Sequence, residues 1–439
     1  MFAAPPALAL AWPRHVPTLD HIVEAAHTGA LVRVLFFGDT PHRLAGAQRS
    51  LLAALTRIGS HGIEPLVIFP GPGAVEEAYR AAGVPTRIVD APPALLLFNK
   101  RLLAMSTRQL AEVLVRALAP YTRRLARLIR DEDFRAVHFN TSRGILLAGP
   151  AAKLARRATV LHLRGAPEGF GRGFWAIAQL LATRIILVAR ALESGISPPF
   201  RRRTVVVYNG VVEQPPRDRV AARRALGERI GRSDLASSDE TLFVAVSSLT
   251  PFKGLHHLLA AANILRERGV RARYVLAGGG GDTRYERWLL ARRAALGLDD
   301  LVHVLGFVPD PLSLMAGADA VVVPSVHHER LELDGEVLDV HGTEGLPRSI
   351  LESLSLGVPT VSTRVQGVVE QIDDGVTGLI VPPSDPLALA DALVRVASDP
   401  AWRVAAGQAG RETARTRFTV DGAAAGLAAA LRSAARGSA

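Results

Sequence analysis

The 439-residue chain contains no cysteine. That excludes a disulfide framework, a thiolate zinc site and a thiol nucleophile. Lysine is nearly absent, with only Lys100, Lys153 and Lys253 among 52 basic residues. Aromatic residues make up 5%, too few for a basic platform that stacks bases, and no nucleic-acid-binding motif occurs, so no nucleic-acid partner is expected. No apolar run reaches the roughly 18 residues of a membrane-spanning helix. No G-x-x-x-x-G-K-[ST] is found, which argues against a P-loop ATPase or kinase. Residues 1–30 lack a basic leader followed by a continuous apolar run, and they read as an N-terminal extension rather than a secretory signal. A cytoplasmic location is the simplest expectation.

What is present is a globular composition, 49% hydrophobic and 21% charged, in a chain long enough for two ordinary domains. The net charge of +11 is unevenly placed. Residues 1–208 hold 27 basic against 13 acidic residues, whereas residues 209–439 hold 25 against 28. A field of this kind attracts an anionic partner such as a phosphorylated acceptor or an anionic membrane face. Segment 95–130 combines apolar positions with Arg123, Arg124, Arg127 and Arg130. It reads either as a helix lying on an anionic membrane or as a basic-faced helix packed on a sheet.

Short β-branched runs alternate with amphipathic segments, the pattern of parallel sheets with helical crossovers. Strands are expected at 31–37, 65–69, 86–89, 136–139, 159–163, 184–188 and 204–208. A second set is expected at 242–247, 273–277, 301–307, 320–324, 359–363 and 378–381. Helices are expected between them, including 46–59, 144–157, 254–268, 284–296, 347–356 and 386–398. The fold class is therefore α/β, with two Rossmann-like domains facing a cleft, residues 31–208 and 241–400. The polar, proline-containing segment 209–240 reads as the linker. Segment 326–343 reads as a long acidic loop. Residues 401–439 read as C-terminal helices that can pack back on the first domain.

Four motifs carry candidate chemistry. In EGLPRSILESLSLGVPTV (344–361), Pro347 suits a first helical turn, so Glu344 lies in the loop before a helix and Glu352 inside it. Two carboxylates at that spacing can address different hydroxyls of one elongated ligand, while the helix N-terminus, near Gly345 and Leu346, can face a diphosphate. In VSSLTPFKGLHHLL (246–259), a strand ends at a turn carrying Lys253 and Gly254. Ligands of open parallel sheets bind at such strand ends, where a lysine can neutralise a leaving phosphate. VLHLRG (160–165) places His162 and Arg164 near another strand end, and GAQRSL (46–51) starts a helix with Gly46, which permits close backbone approach. The glycine run AGGGGD (277–282) offers a phosphate-friendly turn. His327, His328 and Glu329 with His341 do not match H-E-x-x-H and read as loop residues, not as a metal site.

Together these residues resemble the retaining, nucleotide-sugar-dependent glycosyltransferases of family four, the glycogen-synthase-like group with the GT-B fold. The resemblance is best over 242–400: the Lys253-Gly254 turn, LGF (305–307), AVVVPS (320–325), the E-x7-E pair Glu344 and Glu352, and GVTGLIVPPSD (375–385). Weaker matches are AGAQRSLL (45–52), LHLRG (161–165) and YNGV (208–211). It implies transfer of a sugar from a nucleotide-sugar donor to a glycan, glycolipid or lipid-linked acceptor. Glu344 would approach the donor sugar, Glu352 the ribose and Lys253 the diphosphate. His162 would contact the sugar from across the cleft, Gly46 would let its loop approach the reaction centre, Phe307 would border the base, and Gly345 and Leu346 would join the donor site. The scheme needs no cofactor and no metal, because positive groups replace the ion. One departure is Ser248, where members often carry a basic residue; Arg164 is the candidate substitute. Two alternatives stay open, a nucleotide-sugar epimerase of the same fold and a donor-binding pseudo-transferase without turnover.

Overall fold

The computed structural model describes residues 31–39, 44–96, 105–165 and 171–437. The expected extension 1–30 and part of segment 95–130, Lys100 included, lie outside the described residues. The first sheet has seven strands: β1 (Val32–Phe37), β2 (Ile63–Phe69), β3 (Thr86–Ile88), β4 (Ala136–Phe139), β5 (Ala158–Leu163), β6 (Arg184–Leu187) and β7 (Thr204–Val206). Their order is β3-β2-β1-β4-β5-β6-β7, and every pairing is parallel. The second sheet contains β8 (Thr241–Val246), β9 (Ala272–Ala277), β10 (Val302–Gly306), β11 (Ala320–Val323), β14 (Thr360–Thr363) and β15 (Gly378–Val381) in the order β10-β9-β8-β11-β14-β15, again all parallel. The intervening hairpin is β12 (His328–Leu333) and β13 (Glu336–His341). Central strands are buried along their whole length, as β4, β5, β9 and β11 show. That is why they read as continuous apolar runs and not as alternation.

In both sheets the strand order reverses beside the first strand, so the C-terminal end of that strand stands at the crevice where open α/β sheets bind ligands. The loop after β1 leads into helix Gly46–Ile58, and the loop after β8 leads through Lys253 into helix Leu255–Glu267.

The two domains meet through direct backbone contact. A Cβ added to Gly345 of the second domain would lie 2.0 Å from the carbonyl oxygen of Arg164 in the first, so only glycine lets the chains approach this closely. Behind it, the Glu370 carboxylate accepts from the N–H groups of Arg190 and Ala191, both at 2.9 Å, and from the Tyr208 hydroxyl at 3.0 Å. Burial and the neighbouring Glu370 charge push the Tyr208 phenol up from its ordinary range.

Two segments differ from their sequence reading. Residues 209–240 contain helix Arg219–Arg229 and are built into the second domain. Arg219 and Arg223 bond the buried Asp319 at 2.5 and 2.8 Å, Arg403 lies 3.3 Å from it, and the Leu242 N–H donates to it at 2.8 Å. A buried carboxylate with this many partners is fully compensated, and it fastens the supposed linker to β8, to the start of β11 and to helix Pro400–Arg417. Residues 326–343, read as a loop, form the hairpin. Its turn is Asp334-Gly335, both with positive φ (51° and 78°), as a two-residue hairpin turn demands. Of the last two helices, Pro400–Arg417 packs on helix Arg348–Leu356, while Val420–Arg436 returns to the first domain against helix Gly46–Ile58 and β5.

Candidate active site

Between the domains lies a cavity of about 830 Å³. Lys253, Glu344, Gly345, Leu346, Ser248, Phe307, Gly46 and Arg164 all line it. Thus eight of the ten residues singled out from the sequence share one space. The other two, His162 and Glu352, do not line it.

Lys253 ends a short 3₁₀ turn, Pro251–Lys253, closed by Gly254 with φ 64°. A side chain at Gly254 would put its Cβ 1.9 Å from the Pro324 carbonyl oxygen, so the turn is pressed against the end of β11. This aims Lys253 at the loop from β13 to helix Arg348–Leu356. Its Nζ is 2.5 Å from Glu344 Oε1, and both side chains are largely buried. Ser325 Oγ donates to the same oxygen at 2.7 Å, and the Glu344 N–H donates to Gln366 Oε1 at 3.3 Å. The Lys253 ammonium also sits 4.7 Å from the Phe252 ring centroid, a favourable cation–π distance.

Glu352 lies inside helix Arg348–Leu356, one turn beyond Arg348. Arg348 donates to Glu352 Oε1 through Nε and Nη2, at 3.1 and 2.7 Å, and itself lines the cavity. The carboxylate expected to face a ligand is therefore covered by its i,i+4 neighbour. Arg348 also reaches across the cleft, with Nη1 3.4 Å from Ser50 Oγ and its side chain against Gly46. Nothing in the sequence separated Arg348 from the other arginines.

His162 requires a correction. It is a buried residue of β5, with Nδ1 3.2 Å from Nε2 of His138 on β4 and the rings edge to face. Strand residues two apart share a face, so Val160, His162 and Arg164 point the same way. His162 is still within the sheet, beneath helix Val420–Arg436, and Arg164 is the first of the three beyond the strand end. Arg164 Nε donates to Asn140 Oδ1 at 2.7 Å, and its Nη1 donates to Asn209. Burial chiefly lowers its guanidinium to about 9, leaving it charged at neutral pH. Ser248 contributes only a hydroxyl, 3.3 Å from Thr250 Oγ1. Gly279 and Gly280 of the glycine run complete the wall beside Phe307, which is 68% exposed. The arrangement gathers cations, a carboxylate and an exposed ring around one space.

Glycosyl transferases group 1, as a family, match this chain over residues 228–413. WcaL of Escherichia coli strain K12, by its name a colanic acid biosynthesis glycosyltransferase, is 34% identical over 152 residues, but the chain spans only about a third of its length, 34% of each. The GDP-mannose-dependent alpha-(1-6)-phosphatidylinositol monomannoside mannosyltransferase of Mycolicibacterium smegmatis is 30% identical over 305 residues, covering 66% of this chain and 74% of the relative. The chain belongs to the group 1 glycosyl transferases. In this glycosyl transferase the two-domain GT-B architecture extends across both halves. The crystal structure of Anabaena HepE with UDP and glucose superposes with a TM-score of 0.72 at 22% identity, covering 92% of this chain and all of that one.

The buried histidine pair generates a pH dependence of folding. Burial first, then the Arg164 guanidinium, hold His138 and His162 well below the ordinary imidazole range, and each His162 proton is opposed further by His138. In the unfolded chain both take up protons near pH 6.5. Below that pH the unfolded state binds more protons than the folded one, so stability falls as pH drops, by up to about 1.4 kcal/mol per pH unit for each histidine. Urea unfolding at pH 7 and pH 5 should show this loss, and His162→Asn should make it smaller. Equal losses in the two proteins would contradict a neutral buried pair.

Proposed function

We propose that this protein is a retaining glycosyltransferase that moves a sugar from a nucleotide-sugar donor to a glycan, glycolipid or lipid-linked acceptor. The observation that carries this reading is the convergence of Lys253, Glu344 and the N-terminus of helix Arg348–Leu356 on one interdomain cavity, opposite Gly46 and Arg164. Departure of a nucleoside diphosphate builds negative charge on the phosphate. Preorganised positive groups in a site shielded from water stabilise that charge most effectively. Lys253 supplies the compact cation, and the first-turn N–H groups of helix Arg348–Leu356, whose Arg348 and Ser349 line the cavity, add partial positive charge. Arg348 and Arg164 line the same cavity as Ser248 and supply cations there, so the clamp does not depend on a basic residue at that position. Glu344, oriented by Ser325 and Lys253, meets the sugar hydroxyls and the developing positive charge of the ring. The leaving phosphate, on the same face as the acceptor, takes the acceptor proton. For Glu352 to bind the ribose, Arg348 must release it, and a diphosphate is the natural anion to draw Arg348 away. The names of relatives support either UDP or GDP as the carrier and a lipid- or polysaccharide-linked acceptor.

Nucleoside diphosphate release from UDP- and GDP-sugars, followed with lipid-linked and glycan acceptors, tests the reading. Lys253→Ala and Glu344→Ala should each lower transfer by at least about a hundredfold with unchanged circular dichroism, and Glu352→Ala should weaken nucleoside diphosphate binding about tenfold. Transfer at the unmutated rate by folded Lys253→Ala removes the phosphate role. A product of inverted anomeric configuration by NMR removes the retaining course. Isomerisation of the donor alone would mark an epimerase, and nucleotide binding without turnover on any acceptor a pseudo-transferase, the reading that Ser248 favours.

An anionic membrane face is the proposed seat of such an acceptor. Helix Ala119–Asp131 buries Tyr121, Leu125, Ala126 and Ile129 and turns Arg123, Arg124, Arg127 and Arg130 outward, while the preceding turns expose Leu110, Leu114 and Val115. Among the described residues no helix is long and apolar enough to cross a membrane. Co-sedimentation with vesicles should rise with anionic lipid content and fall with salt. Indifference to lipid charge would contradict it.

A further inference from the structure

The hairpin β12–β13 is fastened to the second domain by a group of side chains outside the cleft. Glu329 on β12 faces His256 and His257, the second and third residues of helix Leu255–Glu267. His256 Nε2 lies 2.8 Å from Glu329 Oε1, and His257 Nε2 lies 2.7 Å from Glu329 Oε2. One ligand atom from each of the three residues falls within 4.8 Å of the others. His256 Nε2 and Glu329 Oε1 are shut off from solvent, yet neither makes a hydrogen bond, although they are close enough for one. Their separation is right for a hydrogen bond and their alignment is not. Two buried polar atoms in this relation cost free energy unless a third group satisfies both.

We propose that His256, His257 and Glu329 form a binding site for a divalent transition metal, with zinc the best-fitting ion. Two imidazole nitrogens and one carboxylate oxygen are a borderline N/O donor set that suits zinc. The outer contacts are those of a metal site: the Tyr285 hydroxyl lies 2.9 Å from His256 Nδ1, fixing that ring, and Ser384 Oγ donates to Glu329 Oε2 at 2.9 Å. A cavity of about 490 Å³ is bordered by both histidines, Trp288 and Asp334.

The site's position gives it a structural task. His256 is three residues beyond Lys253, and Glu329 is four residues beyond Ser325, which donates to Glu344. An ion here ties together, from behind, the two segments whose other ends hold the Lys253–Glu344 pair. The ion acts through the fold, and no step of sugar transfer is routed through it.

The test uses the full chain, stripped with a chelator, desalted, and then exposed to one equivalent of zinc chloride. Bound metal is measured by mass spectrometry after a second desalting, and Tm before and after addition. The expected result is one zinc per chain and a Tm rise of at least about 2 °C, both lost in Glu329→Gln and in His257→Asn. Cobalt(II) provides a second readout, since a four-coordinate centre gives intense visible bands that surface histidines do not. Zinc retained equally by the parent chain and by folded Glu329→Gln places the ion on other histidines and overturns the proposal. So does a parent chain that retains none.

Discussion

The ion pair between Lys253 and Glu344 organises the second domain's edge of the cleft. Two opposite charges 2.5 Å apart and largely withdrawn from water hold together only if their remaining hydrogen-bonding capacity is met. Ser325 meets part of it on the carboxylate. The glycine that follows Lys253 allows the turn to press on the end of β11, so the lysine has little freedom to leave. Each partner fixes the other's position, and the loop from β13 into helix Arg348–Leu356 is set by that contact. The neighbouring pair, Arg348 with Glu352, repeats the pattern within the helix that follows. Lys253 and Arg348, which line the cleft, are thus already matched to carboxylates, and an entering anion would compete for those cations rather than meet bare charge.

A second constraint sets the distance between the domains. Gly345 lies against the Arg164 carbonyl with no room for a side chain, and Glu370 caps the N–H groups of Arg190 and Ala191 while receiving the Tyr208 hydroxyl. The last helix, Val420–Arg436, belongs by packing to the first domain although the chain reaches it only after finishing the second. Two crossings of the interface, at Val211 and at Thr419, run side by side.

Much of this was legible in the residues. Buried parallel strands leave apolar β-branched runs, so each expected strand is found within two residues of its predicted bounds. Apart from Ser248, the motif residues that line the cavity are glycines or lie next to a glycine or proline, where local chemistry fixes the backbone. The strand bearing His162 ends where expected, at Leu163, but one residue inside that end the imidazole stays within the sheet against His138, whereas Arg164, two residues on, lies beyond it. Glu352 was expected to face the cavity, but the arginine four residues earlier covers it, a contact that depends on rotamers and not on spacing. The hairpin did carry a signal, Asp334-Gly335 between alternating residues, which its acidic composition obscured. The pairing of Glu329 with His256 and His257, more than seventy residues away, is a product of tertiary structure alone.

Hydrogen exchange with and without saturating UDP or GDP tests the central claim most directly, because it reads the ligand's footprint without an acceptor or a mutation. The account predicts slowed exchange with at least one nucleotide in segments 246–254 and 343–349, with a smaller effect at 44–50 across the cleft. Protection confined to other surfaces, or absent with both nucleotides, would contradict a donor site between the domains.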